Sequence, residues 1–130
     1  ENRALCASAE LGLLSVLVEV IREDKRKARQ YALGAVQNIA YRVENRVLCA
    51  SSELGLLPVL VEVIREDKGK ARVEALSAVH NIASAVENRI LCASRELGLL
   101  LVLVEVIKEN KGWARIKALS IVQNIASAVE

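Results

Sequence analysis

Residues 44–83 read ENRVLCASSELGLLPVLVEVIREDKGKARVEALSAVHNIA, and this stretch decides the fold. Its opening triplet Glu44-Asn45-Arg46 stands also at Glu1-Asn2-Arg3 and at Glu87-Asn88-Arg89, a spacing of 43 residues. Roughly two-thirds of the positions are identical in all three copies, the mark of a stacked array in which no unit can cover its apolar face alone. The repeats occupy residues 1–43, 44–86 and 87–130 and read together as one solenoid domain without obvious caps. Such near identity points to recent duplication or to design, and the residues do not choose between them.

Each unit divides into three helices. The first is expected from Glu44 to about Leu54, closed by Gly55 as a left-handed C′ residue, with Gly12 and Gly98 in the same place. The second, Leu56 to Ile64, is nearly all apolar and should be buried on most sides. Pro58 falls in its first turn, where no backbone N–H is required, and Ser15 and Leu101 match it. Asp67 is the expected N-cap of the third helix, matched by Asp24 and Asn110. That helix should run from about Lys68 to Ala83, its apolar stripe made by Ala71, Ala75, Leu76, Val79, Ile82 and Ala83.

Composition narrows the function classes. Hydrophobic residues make up 53% of the 130 positions and aromatic residues 2%, so the core must be built from smooth aliphatic helices in close approach. Eighteen basic and 16 acidic residues are interspersed for a formal charge of +2, which gives no electrostatic footprint for nucleic acid or an anionic membrane. The longest apolar run, near Leu54 to Ile64, contains Pro58 and Glu62 and is too short to span a bilayer. No signal peptide is visible, and the missing initiating Met points to a fragment or a processed chain.

The pattern ELGLLPVLVEVIRED followed by KARVEALSAVHNIAS resembles the armadillo repeat family: a short helix, a Gly, an LPxLVxLL-like helix and an EALxxLxNIA-like third helix. The resemblance covers the chain three times over. It implies an all-α, right-handed superhelix of three 43-residue, three-helix repeats whose third helices line a concave groove. In importin-alpha-like members an extended peptide lies there, its backbone bonded by an Asn ladder. Asn38, Asn81 and Asn124 occupy those positions. Gly34, Ser77 and Ser120 stand where the family usually carries a Trp, which argues against binding of nuclear localisation signals.

Comparing the three copies supports a binding face. On helix three they differ at Lys27/Lys70/Trp113, Gln30/Val73/Ile116, Tyr31/Glu74/Lys117, Gly34/Ser77/Ser120 and Gln37/His80/Gln123, positions that step by three or four and so share a face. A constant amide among changing neighbours suits a shared contact to an extended main chain, because an amide both donates and accepts. The spacing by itself also fits a structural bond from each Asn to an adjacent repeat. The candidate groove residues are therefore Asn38, Asn81, Asn124, Tyr31, Glu74, Lys117, Gln37, His80, Gln123, Ser77, Ser120 and Trp113. Glu74 favours a basic ligand group and Lys117 an acidic one. Trp113 is either a binding anchor or a cover for the end of the stack.

Other signals carry no chemistry. Cys6, Cys49 and Cys92 share one frame position, and helices pack about 8–10 Å apart, beyond disulfide reach. They should stay reduced and buried, in a cytosolic or nuclear setting. No CxxC or Cys/His cluster suggests a metal. His80 lacks a catalytic partner, and neither a phosphate loop nor a nucleophile motif occurs. Neither an enzyme nor a cofactor is expected. The invariant rows Arg3/Arg46/Arg89 and Arg29/Arg72/Arg115 form two basic ladders, expected to be balanced by Glu44, Glu53 and Glu62 rather than to bind nucleic acid. An extended peptide or a protein is the expected partner. Because the end repeats use the same apolar frame as the middle one, head-to-tail self-association is expected too, in a stack that does not close on itself.

Overall fold

The computed structural model describes the backbone of residues 2–127 and the side chains of residue 9 and residues 11–127. Eight α-helices and one 3₁₀ turn follow one another, with no strand among the described residues. They are α1 (Asn2–Glu23), α2 (Lys27–Tyr41), a 3₁₀ turn (Val43–Asn45), α3 (Arg46–Cys49), α4 (Leu56–Glu66), α5 (Lys70–Ala83), α6 (Val86–Cys92), α7 (Leu99–Glu109) and α8 (Trp113–Ala126). The third helices α2, α5 and α8 pack side by side, and α1, α4 and α7 pack as a second row behind them. The molecule is an α-solenoid.

Aliphatic side chains from both rows fill one continuous core. Leu56, Leu60, Ile64, Leu76 and Ile82 are fully covered, and Ala71, Ala75, Ala78 and Ala83 let the helices approach closely. Helix α4 buries Leu56, Leu57, Val59, Leu60, Val61, Val63 and Ile64 but exposes Pro58, Glu62, Arg65 and Glu66 along one face, so it is an amphipathic helix with a wide apolar side.

Three local expectations are corrected. The first helix of the second and third units is shorter than its letters suggest: α3 stops at Cys49 and α6 at Cys92, and after α3 a turn follows, closed by the Leu54 N–H donating to the Ser51 carbonyl at 3.2 Å. Gly55 and Gly98 are left-handed, with φ of 72° and 73°, but they stand as the N-caps of α4 and α7 rather than after the first helix. Gly12 does not break the chain at all, since it lies inside α1, which joins the first and second helices of its repeat.

The third correction concerns Asp67. The α5 helix begins at Lys70 with Gly69 as its N-cap and no side-chain cap. Asp67 instead accepts a bond from the Gly69 N–H at 3.1 Å, fixing the turn ahead of the helix. Asp24 does the same with the Arg26 N–H at 2.9 Å.

Candidate interaction face

A helix leaves its last carbonyls without intrahelical partners, and in a stacked array those ends lie against protein rather than water. The invariant arginines answer this need. Arg29, Arg72 and Arg115 each donate Nε to the end of the second helix of their own repeat, to the carbonyls of Ile21 (2.9 Å), Ile64 (2.8 Å) and Ile107 (2.9 Å). A cation at a helix C-terminus is also favoured by the helix dipole. Arg29 and Arg72 are buried. Their Nη1 atoms reach the next repeat, Arg29 to Asp67 at 4.0 Å and Arg72 to Glu109 at the end of α7 at 3.3 Å, while Arg72 Nη2 donates to the Arg65 carbonyl at 3.4 Å.

The Glu-Asn-Arg triplet performs the same service for the third helices. Asn45 Nδ2 donates to the Ile39 carbonyl at 3.1 Å, and Asn88 Nδ2 to Ile82 and to Arg46, both at 2.9 Å. Arg46 donates to the Ala40 and Tyr41 carbonyls, and Arg89 to those of Ala83 and Ser84. So every described member of both arginine rows donates its Nε to a backbone carbonyl, while Arg72 also bonds Glu109 and Arg89 also bonds the Ser127 hydroxyl. Among the described residues no ion pair joins them to Glu44, Glu53 or Glu62, which corrects the expected balance of charge. Arg3 and Cys6 lie outside the described side chains.

What remains for recognition is the outward face of α2, α5 and α8. On α2, Tyr31 is 78% exposed, Asn38 is exposed and Gln37 and Gly34 are half-buried. Residues seven and ten beyond Tyr31 lie on the same face as it, which adds Tyr41 to this row beside Asn38. Sequence reasoning missed Tyr41, although it interrupts the Ser found at that position in Ser84 and Ser127. On α5, Glu74, His80 and Asn81 are half-buried, whereas Ser77 is covered. On α8, Trp113 is 69% exposed, Gln123 is exposed, and Lys117, Ser120 and Asn124 are half-buried.

The amides are not equivalent. Asn81 Nδ2 donates to the Gln37 carbonyl of the preceding repeat at 3.1 Å, so at this position the amide ties α5 to α2. Asn38, in the same frame, is exposed. Glu74 is the one described residue whose buried side-chain oxygen, Oε1, has no hydrogen-bond partner. Burial raises its pKa against the opposing pull of Lys70. The His80 pKa is lowered, first by burial and then by Lys117; a bond to Asn81 opposes the shift and Arg46 adds to it.

Cys49 and Cys92 are fully buried and outside any disulfide, and burial alone pushes the Cys92 thiol up to about 11, far from a reactive thiolate. Among the described residues no group of three or more His, Cys, Asp or Glu could hold a metal, and no helix is long and apolar enough to cross a membrane.

No protein-family model matches the sequence, and no curated protein does. Solved structures do. The chain superposes on an engineered protein with a TM-score of 0.80 at 29% identity, over 98% of this chain and 52% of that one. A second engineered protein matches with a TM-score of 0.76 at 22% identity, over 88% and 45%. A designed armadillo repeat protein in complex with the peptide (KR)4 matches with a TM-score of 0.71 at 25% identity, over 91% and 53%. The chain therefore spans about half the length of these structures and has an armadillo-like repeat fold.

Proposed function

We propose that the chain is a non-catalytic interaction scaffold that takes an extended polypeptide across the outward face of α2, α5 and α8. The observation that carries this is the unbonded Glu74 oxygen set between rows of exposed aromatic and amide side chains. A buried acceptor without a partner costs free energy, and a Lys or Arg of a ligand supplies the missing donor and charge together. Tyr31 and Tyr41 on one side and Trp113 on the other offer apolar area for the flanking ligand residues. Asn38 and Asn124 are the amides proposed to bond the ligand main chain, while Asn81 first serves the stack. Support comes from the basic peptide held by the designed armadillo protein of similar fold. Buried cysteines that form no disulfide favour a reducing, intracellular setting.

Titration with (KR)4 peptide, followed by Trp113 fluorescence and calorimetry, tests the reading. Glu74→Gln should weaken binding about tenfold, equivalent to ~1.4 kcal/mol, and Asn38→Ala by a smaller factor. If neither (KR)4 nor any member of an extended-peptide array binds the native protein, the reading is wrong. A second reading, an array that stacks on copies of itself, is favoured by the uncovered apolar side chains at both ends.

A further inference from the structure

The residues that join neighbouring repeats form two sets, and each end of the molecule leaves one set bare. Leu56 and Val59 in the second repeat, and Leu99 and Val102 in the third, are at most 6% exposed. Their counterparts in the first repeat, Leu13 and Val16, are 49% and 56% exposed, so this set faces the preceding repeat. Leu57, Val61 and Leu76 are at most 3% exposed, and Leu14, Val18 and Leu33 match them. In the third repeat the same positions, Leu100, Val104 and Leu119, are 37%, 47% and 48% exposed, so this set faces the following repeat. The head of repeat 1 and the tail of repeat 3 are thus the two halves of a joint the chain already makes between its own repeats.

Gly12 adds an independent observation. The five letters ELGLL occur at 10–14, 53–57 and 96–100. Where a repeat precedes them, the glycine is left-handed, and the Arg22 or Arg65 guanidinium of that preceding repeat lies 3.9 or 4.0 Å from where a Cβ would stand. At Gly12 nothing lies within 4 Å, and the backbone runs on as helix. The local sequence is the same, so packing against a preceding repeat selects the break.

We propose that a second copy of this chain docks its third repeat on the head of the first in the 43-residue register, and that docking breaks α1 at Gly12. The inference rests on the self-stacking reading and names its surfaces and its switch. In that register Lys108 of the second copy takes the place of Arg22 and Arg65 beside the glycine. Each copy carries one head and one tail, so growth is open-ended.

Sedimentation velocity across a wide concentration range is the test. The native chain should gain mass continuously with concentration. Val16→Glu blocks the head and Leu119→Glu the tail; both replace exposed residues, and each variant alone should be monomeric. Mixed, they should form a one-to-one dimer that grows no further. Gly12→Ala should weaken association by about tenfold or more, because a left-handed backbone disfavours any side chain, while leaving the dilute monomer folded by circular dichroism. A native chain that stays monomeric would end the self-stacking reading altogether. Association that Gly12→Ala leaves unchanged refutes the switch but keeps the stacking. Blocked variants that fail to pair when mixed refute the head-to-tail register.

Discussion

Leu76 and Leu119 hold the same place in two copies of one repeat, yet the first is fully buried and the second is 48% exposed. The same contrast separates Gly55, left-handed between two helices, from Gly12, inside one. In both pairs the local letters agree and the outcome does not. The difference lies in the neighbour: only the second repeat is covered on both sides. A repeat here is a half-finished structure, and its stability is a sum of its own helices and its two interfaces.

The contrast predicts its largest effect in the core. Leu76→Ala should cost about 2–5 kcal/mol by urea unfolding, while Leu119→Ala should cost under about 1, since little of its contact exists to be lost. Equal costs would break the comparison. Next come the helix-end donors. Asn88→Ala removes the side-chain donor to the Ile82 and Arg46 carbonyls, the first of which keeps the Ala85 N–H, and should cost about 0.5–1.5 kcal/mol, read from the same unfolding curves.

The glycines give opposite signs. Gly55→Ala should destabilise by about 1–2 kcal/mol, whereas Gly12→Ala in the monomer should stabilise by about 0.5–1, because helix is its monomeric state. Thermal melts of dilute samples would show both shifts.

The smallest effects are pH-dependent. His80 folds with its pKa below 6.5, so its contribution is intact above pH 6.5 and is lost as pH falls from there through the lower folded value. His80→Gln, the residue of the other two repeats, should flatten that limb. Glu74 runs the other way. Its folded pKa lies above 4.5, so stability is fullest below pH 4.5 and declines as pH rises through the raised value. Glu74→Gln should remove that decline and raise the neutral-pH melting temperature slightly.

Much of the architecture could be read from the letters. The 43-residue spacing gave the stack, the apolar run at 56–64 gave the buried second helix, and Gly55 gave the left-handed junction. The misreadings share a cause. Gly12 obeys a partner surface that its own repeat does not contain, so local propensity could not locate it. The arginine rows looked like surface charge, because the sequence shows a cation but not the carbonyl it reaches. A triplet held constant just beyond every third helix was the available signal, since helix ends require donors. At the candidate face Tyr31, Asn38 and Trp113 are exposed, whereas Ser77 is covered and Asn81 is tied to Gln37, which repeat comparison alone does not distinguish.

Amide hydrogen exchange on the monomer, at a dilution where no mass above one chain sediments, tests the neighbour-dependence most directly. Exchange should be slowest in α4 and α5, which are covered on both sides, and faster in α1, α7 and α8. Uniform protection along the chain, or protection in α8 outlasting that in α5, would contradict the claim that each repeat owes its stability to the one beside it.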